Sequence, residues 1–89
     1  MNEEQKELFR KALLRVLDAN RTRYGLGLSA IGHLIGQFGF SQPKTEDLAE
    51  AVDYLERKGL VIEVMKSVNR ANRAWRIEEA GIAFLDEGR

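Results

Sequence analysis

The chain has no cysteine, one proline, one histidine and one tryptophan in 89 residues, and its fourteen basic and fourteen acidic side chains cancel. The missing thiols exclude a disulfide framework and any thiolate-bound metal. A lone histidine falls short of the ligand set that zinc takes, so His33 is expected on a helix flank or surface, and neither metal nor cofactor is expected. No apolar run approaches the length of a membrane span and no secretory h-region is present, which points to a reducing cytoplasm. No serine or histidine stands in a nucleophile motif. The stretch "GLGLSAIG" lacks the lysine and the preceding strand of a phosphate-binding loop, so no enzyme is expected. Zero net charge is not the balance of a uniformly basic nucleic-acid binder, but local patches have to be read segment by segment.

What is present is the composition of a globular domain, 44% hydrophobic and 31% charged, enough for one small core across residues 1–89. "NEEQKELFRKALLRVLDANR" is helical, with Leu8, Phe9, Ala12, Leu13, Val16 and Leu17 on one apolar face and Glu3, Glu4 and Glu7 near its N-terminus. Leu14 lies off that stripe, either as a single exposed leucine or as part of an intermolecular contact. After the loop "TRYGLGLS", Ser29 is placed to cap a second helix, "SAIGHLIGQF", whose Gly32 and Gly36 suit a close helix crossing. Beyond "GFSQPK", Thr45 is placed to cap the third helix, "EDLAEAVDYLERK". Its buried stripe is Leu48, Ala51, Val52 and Leu55, and Gly59 follows as a left-handed C-cap.

The segment "LVIEVMKSV" predicts a strand with Ile62, Val64 and Val68 on one side. "NRAN" predicts a turn, and "RAWRI" a partner strand with Trp75 and Ile77 on one side. Trp75 is expected to anchor this hairpin to the core. A last short helix, "EEAGIAFLDEG", offers Ile82, Phe84 and Leu85 to the core.

Helix, helix, helix, hairpin, helix is the order of a winged helix-turn-helix domain. "AVDYLERKGLV" resembles the end of the recognition helix and the start of the wing in bacterial winged-helix regulators. "RAWRIEEAGIAFL" resembles the way out of their wing, an aromatic, an apolar residue, then "AG" opening the last helix. The likeness spans Gly25 to Leu85 and is nearest to the small ArsR-like winged-helix proteins of Mu-like phages and prophages, which lack metal-binding cysteines. Two features depart from the pattern: a long Gly39–Lys44 connection, and Glu78 where threonine is usual. The resemblance implies an α+β, mostly α fold: a three-helix core, a two-stranded β-hairpin wing and a C-terminal helix. It also implies double-stranded DNA as partner and transcription regulation as role.

The charges complicate that expectation. On the third helix Glu46, Glu50, Asp53 and Arg57 face outward with Tyr54 at their edge. From Thr45 to Lys58 five acids oppose two bases, a balance of −3. That is a poor surface to set against a polyanion, and an acidic first turn with an Asp53–Arg57 pair is ordinary helix stabilisation. The hairpin, Leu60 to Ile77, has four bases against Glu63, a balance of +3. Lys66, Arg70, Asn72, Arg73 and Arg76 are therefore the expected DNA contacts, with Arg70 and Arg73 placed to project from the tip. Arg21 and Arg23 are candidates to extend this basic area.

Two functions follow. One is a winged-helix DNA-binding or regulatory protein led by its basic wing. The other is a protein-interaction module that uses the acidic third helix. A homodimer through Phe9, Leu14, Phe84 and Leu85 is compatible with either, and all but Leu14 equally suit the monomer core.

Overall fold

The computed structural model describes residues 1–64 and 73–87. Helix α1 (Glu3–Ala19) starts at Asn2, whose side chain accepts from the Gln5 N–H at 2.8 Å while the Gln5 side chain accepts from the Asn2 N–H at 3.2 Å. Two orphan donors are satisfied at once by this reciprocal cap. Helix α2 (Leu28–Leu34) runs directly into a single 3-10 turn over Ile35–Phe38, and α3 follows over Thr45–Arg57. Strands β1 (Val61–Glu63) and β2 (Trp75–Ile77) form an antiparallel pair, and α4 (Glu79–Glu87) closes the chain. The described residues thus form a small, mostly helical α+β fold with four α-helices and a two-stranded sheet.

The core is built around α1, which contacts α2, the 3-10 turn, α3, β2 and α4. Phe9, Leu13, Leu14, Val16 and Leu17 are buried along it, with Ile31, Ile35, Leu55, Val61 and Trp75 packed from other elements. Phe9 also meets the Phe40 ring edge-on, with centroids 5.2 Å apart. Each such side chain contributes about 1.5–3 kcal/mol by leaving water.

Helix α3 ends as expected. Gly59 has φ +74, the Leu60 N–H donates to the Leu55 carbonyl at 3.0 Å, and the Gly59 N–H donates to Glu56 at 3.0 Å. This Schellman arrangement turns the chain straight into β1. The Leu60 carbonyl then accepts from the Glu78 N–H at 2.9 Å, tying the start of the hairpin to its end.

One pairing extends the sheet beyond the expected hairpin. The Leu26 N–H donates to the Trp75 carbonyl at 2.8 Å, and the Trp75 N–H donates to the Leu26 carbonyl at 2.9 Å. Strand β2 is therefore hydrogen-bonded on both edges, by β1 and by the segment before α2. Gly25 makes this possible: at φ +69, a β-carbon there would lie 2.6 Å from the Trp75 carbonyl oxygen and 2.7 Å from Val64 Cγ2.

Several sequence expectations shift. Gly27, not Ser29, is the N-cap of α2, and Lys44, not Thr45, that of α3; neither cap makes a side-chain hydrogen bond. Gly32 does sit at a close approach, its absent β-carbon 3.0 Å from Leu48 Cδ1, whereas Gly36 faces open space. In β1 the inward residue is Val61, and Ile62 points outward at 42% exposed. The register sets Val61 opposite Ile77 and Ile62 opposite Arg76, so the side of β1 that carries Ile62 is the outward one; Val68 and the expected NRAN turn lie outside the described residues.

Candidate nucleic-acid interface

The outward face of α3 is arranged as its spacing predicts: Glu46, Glu50, Asp53 and Arg57 are all exposed. Its internal pairing differs. Arg57 Nε reaches the backbone carbonyl of Asp53 at 3.4 Å, and no ion pair joins the two side chains among the described residues. Glu50 instead leans toward α1, where Lys6 Nζ lies 3.6 Å away. Tyr54 is half-buried between two cations, the Arg10 guanidinium 3.7 Å above its ring and Lys58 Nζ at 5.6 Å. It belongs to the packing of α3 on α1 more than to the outward face.

On the hairpin, Lys66, Arg70 and Asn72 lie outside the described residues. Arg73 turns back toward the sheet. Its Nε and terminal nitrogen meet the two carboxylate oxygens of Glu63 at 2.9 and 3.0 Å, and its guanidinium lies 4.9 Å from the Trp75 ring. The fork with Glu63 raises the Arg73 pKa above its ordinary value; desolvation opposes the shift, and the carboxylates of Glu56 and Asp53 add to it. Bidentate charge-assisted pairing of this kind fixes a side chain in place. Arg73 thus braces the base of the hairpin, and its charge is answered within the fold.

Arg76 has the opposite disposition. It lies between the inward residues Trp75 and Ile77, so strand alternation sends it to the outer face beside Ile62. There it lines an open cleft of about 470 Å³ together with Arg21, Arg23 and the start of α4 at Glu78 and Glu79. Arg21 is held by Asp18, its Nε 3.0 Å from the carboxylate. Neither Arg23 nor Arg76 forms an ion pair among the described residues. Arg21 and Arg23 are thus brought to the hairpin's outer face by the Leu26–Trp75 pairing, a long-range contact that no local pattern signals.

Of the residues proposed for self-association, Phe9, Leu14 and Leu85 are at most 2% exposed, and only Phe84 presents surface, at 46%. Leu14 is fully enclosed because α1 is packed on several sides, while Leu8, assigned to the core by spacing, is 55% exposed. Trp75 is buried as expected, though its indole N–H has no acceptor among the described residues. His33 is exposed, and the described residues contain no cluster of His, Asp or Glu able to hold a metal. No helix among them is long and apolar enough to cross a membrane. No protein-family model, curated protein or solved structure matches the chain.

Proposed function

We propose that this chain is a winged-helix module that binds double-stranded DNA through the outer side of its hairpin, with a regulatory role. The element order supports the fold reading, as does the short Leu26 pairing on the far edge of β2. The observation that carries the binding reading is the grouping of Arg76 with Arg23 and Arg21 around one open cleft, where Arg23 and Arg76 hold no ion pair among the described residues although Glu78 and Glu79 line the same cleft. Lys66, Arg70 and Asn72 are assigned to the same contact from their place in the sequence. Guanidinium groups on an exposed edge of this kind engage phosphates without regard to base sequence.

The same geometry disfavours contact led by α3. Its exposed Glu46, Glu50 and Asp53 would set acid against a polyanion. In this reading α3 supplies little affinity. The second reading, a protein-interaction module, draws on that feature: Glu46 and Asp53 stand outward with no basic partner bonded to their carboxylates among the described residues.

The deciding experiment is a fluorescence-anisotropy titration of mixed-sequence duplex DNA at low and then higher salt. Affinity that falls steeply with salt supports the DNA reading. No binding at low salt overturns it and leaves the acidic face of α3 as the surface to pursue.

A further inference from the structure

The turn that leads into the Leu26–Trp75 pairing carries an aromatic ring that duplex binding does not use. Tyr24 is 70% exposed, more than any other large apolar or aromatic side chain among the described residues. Its support is braced. Within the turn Thr22–Gly25, the Gly25 N–H donates to the Thr22 carbonyl at 3.2 Å and the Tyr24 N–H donates to the Thr22 hydroxyl at 2.9 Å. On one side of the turn Arg21 is held by Asp18, and on the other Leu26 is bonded to Trp75. The Arg23 guanidinium lies 5.9 Å from the centre of the Tyr24 ring, and Arg23 in turn lines the cleft that contains Arg76.

The charge of that cleft is modest, because Glu78 and Glu79 line it together with Arg21, Arg23 and Arg76. Phosphate attraction alone therefore gains little there. An exposed ring supplies what charge does not, since every base has a flat face and an unpaired base gains affinity by stacking on an aromatic side chain. In a duplex those faces are already covered by the neighbouring base pairs. A ring and a guanidinium held on one fixed turn thus match a strand whose bases are open. Tyrosine has only two side-chain torsions and the turn is already set, so little freedom is lost on contact.

We propose that the Tyr24 turn and the arginine cleft form one site for DNA with unpaired bases, in which Arg23 and Arg76 take phosphates while a base stacks on Tyr24. The inference rests on the reading of the cleft as a DNA-contacting surface, and it names the preferred substrate as a single-stranded stretch beside a duplex.

Anisotropy titrations at low salt test it with three labelled probes. They are a blunt duplex of mixed sequence, the same duplex with a single-stranded overhang, and that overhang with abasic residues in place of its bases. The wild type is expected to bind the intact overhang about tenfold more tightly than either of the others. Tyr24→Ala is expected to erase this preference at an unchanged melting temperature, because the ring supports little of the fold. Tyr24→Phe, which keeps the ring, is expected to retain it. An abasic overhang bound as tightly as the intact one overturns the proposal, and so does a preference that survives Tyr24→Ala. Equal, salt-sensitive binding of all the probes overturns it too, but leaves the duplex reading standing. Binding of the intact overhang without the blunt duplex supports the proposal and overturns the duplex reading, whereas binding of no probe overturns both.

Discussion

Arg73 grips Glu63 diagonally across the base of the hairpin, both guanidinium bonds near 3 Å, while Arg76, three positions on, faces solvent. The two arginines therefore do different work despite their equal charge. Arg73→Ala is expected to destabilise the fold by about 1–2 kcal/mol, a value discounted because the Arg73 side chain is 37% exposed even though that of Glu63 is only 9% exposed. Arg76→Ala is expected to leave stability within about 0.5 kcal/mol, as for other exposed positions. Urea unfolding of the two variants checks the contrast.

The DNA reading makes the reverse demand. Replacing Arg23 and Arg76 together by alanine is expected to weaken duplex binding and to reduce the slope of log affinity against log salt by about two, one for each lost phosphate contact. Loss of affinity is expected to be similar for unrelated DNA sequences. Arg73→Ala, compared at a temperature where it is folded, is expected to change the slope little. Anisotropy titrations at several salt concentrations give both quantities.

Two glycines are expected to respond to alanine in opposite directions. At Gly25 the new methyl would strike the Trp75 carbonyl in a left-handed backbone, so Gly25→Ala is expected to cost about 1–3 kcal/mol. At Gly36 the methyl would enter open space, so Gly36→Ala is expected to gain about 0.4–1 kcal/mol by restricting the unfolded chain. Thermal melts monitored by circular dichroism separate the two.

The exchange of roles between Leu8 and Leu14 has its own signature. Leu14→Ala is expected to cost about 2–5 kcal/mol as a core truncation. Leu8→Ala is expected to stay within about 0.5 kcal/mol when measured on monomer at low concentration. Chemical denaturation of both variants, side by side, is sufficient.

The helices, the antiparallel strand pair and the left-handed Gly59 could all be read from spacing and capping chemistry, because each depends on residues close in sequence. What could not be read was the direction in which an ambiguous stretch faces. β1 has apolar residues at 61, 62 and 64, which fit either parity, and a slip of one position exchanges the two faces. For α1 the difficulty is that it is surrounded: helices, the 3-10 turn and β2 all pack on it, so the buried arc is too wide for a single stripe to define. Leu14 falls inside that arc and Leu8 just outside. The outward acids of α3 were legible, since that helix buries one side only. Arg73 was not, because its partner Glu63 lies ten residues away across the hairpin, and the convergence of Arg21, Arg23 and Arg76 depends on the Leu26–Trp75 pairing.

That pairing also governs the order in which the molecule can assemble. Leu26 and Trp75 are separated by about fifty residues, and closing so long a loop costs entropy before any bond repays it. The neighbouring contacts of α2 with α3 are formed from nearer parts of the chain. A nascent chain leaving the ribosome N-terminus first therefore carries Gly25 as an open notch until Trp75 emerges. Only then can the strand seat against Leu26 and cover the side of α1 that β2 packs on. Helices α1 to α3 precede Trp75 in the chain, and the sheet is the latch that shuts on them.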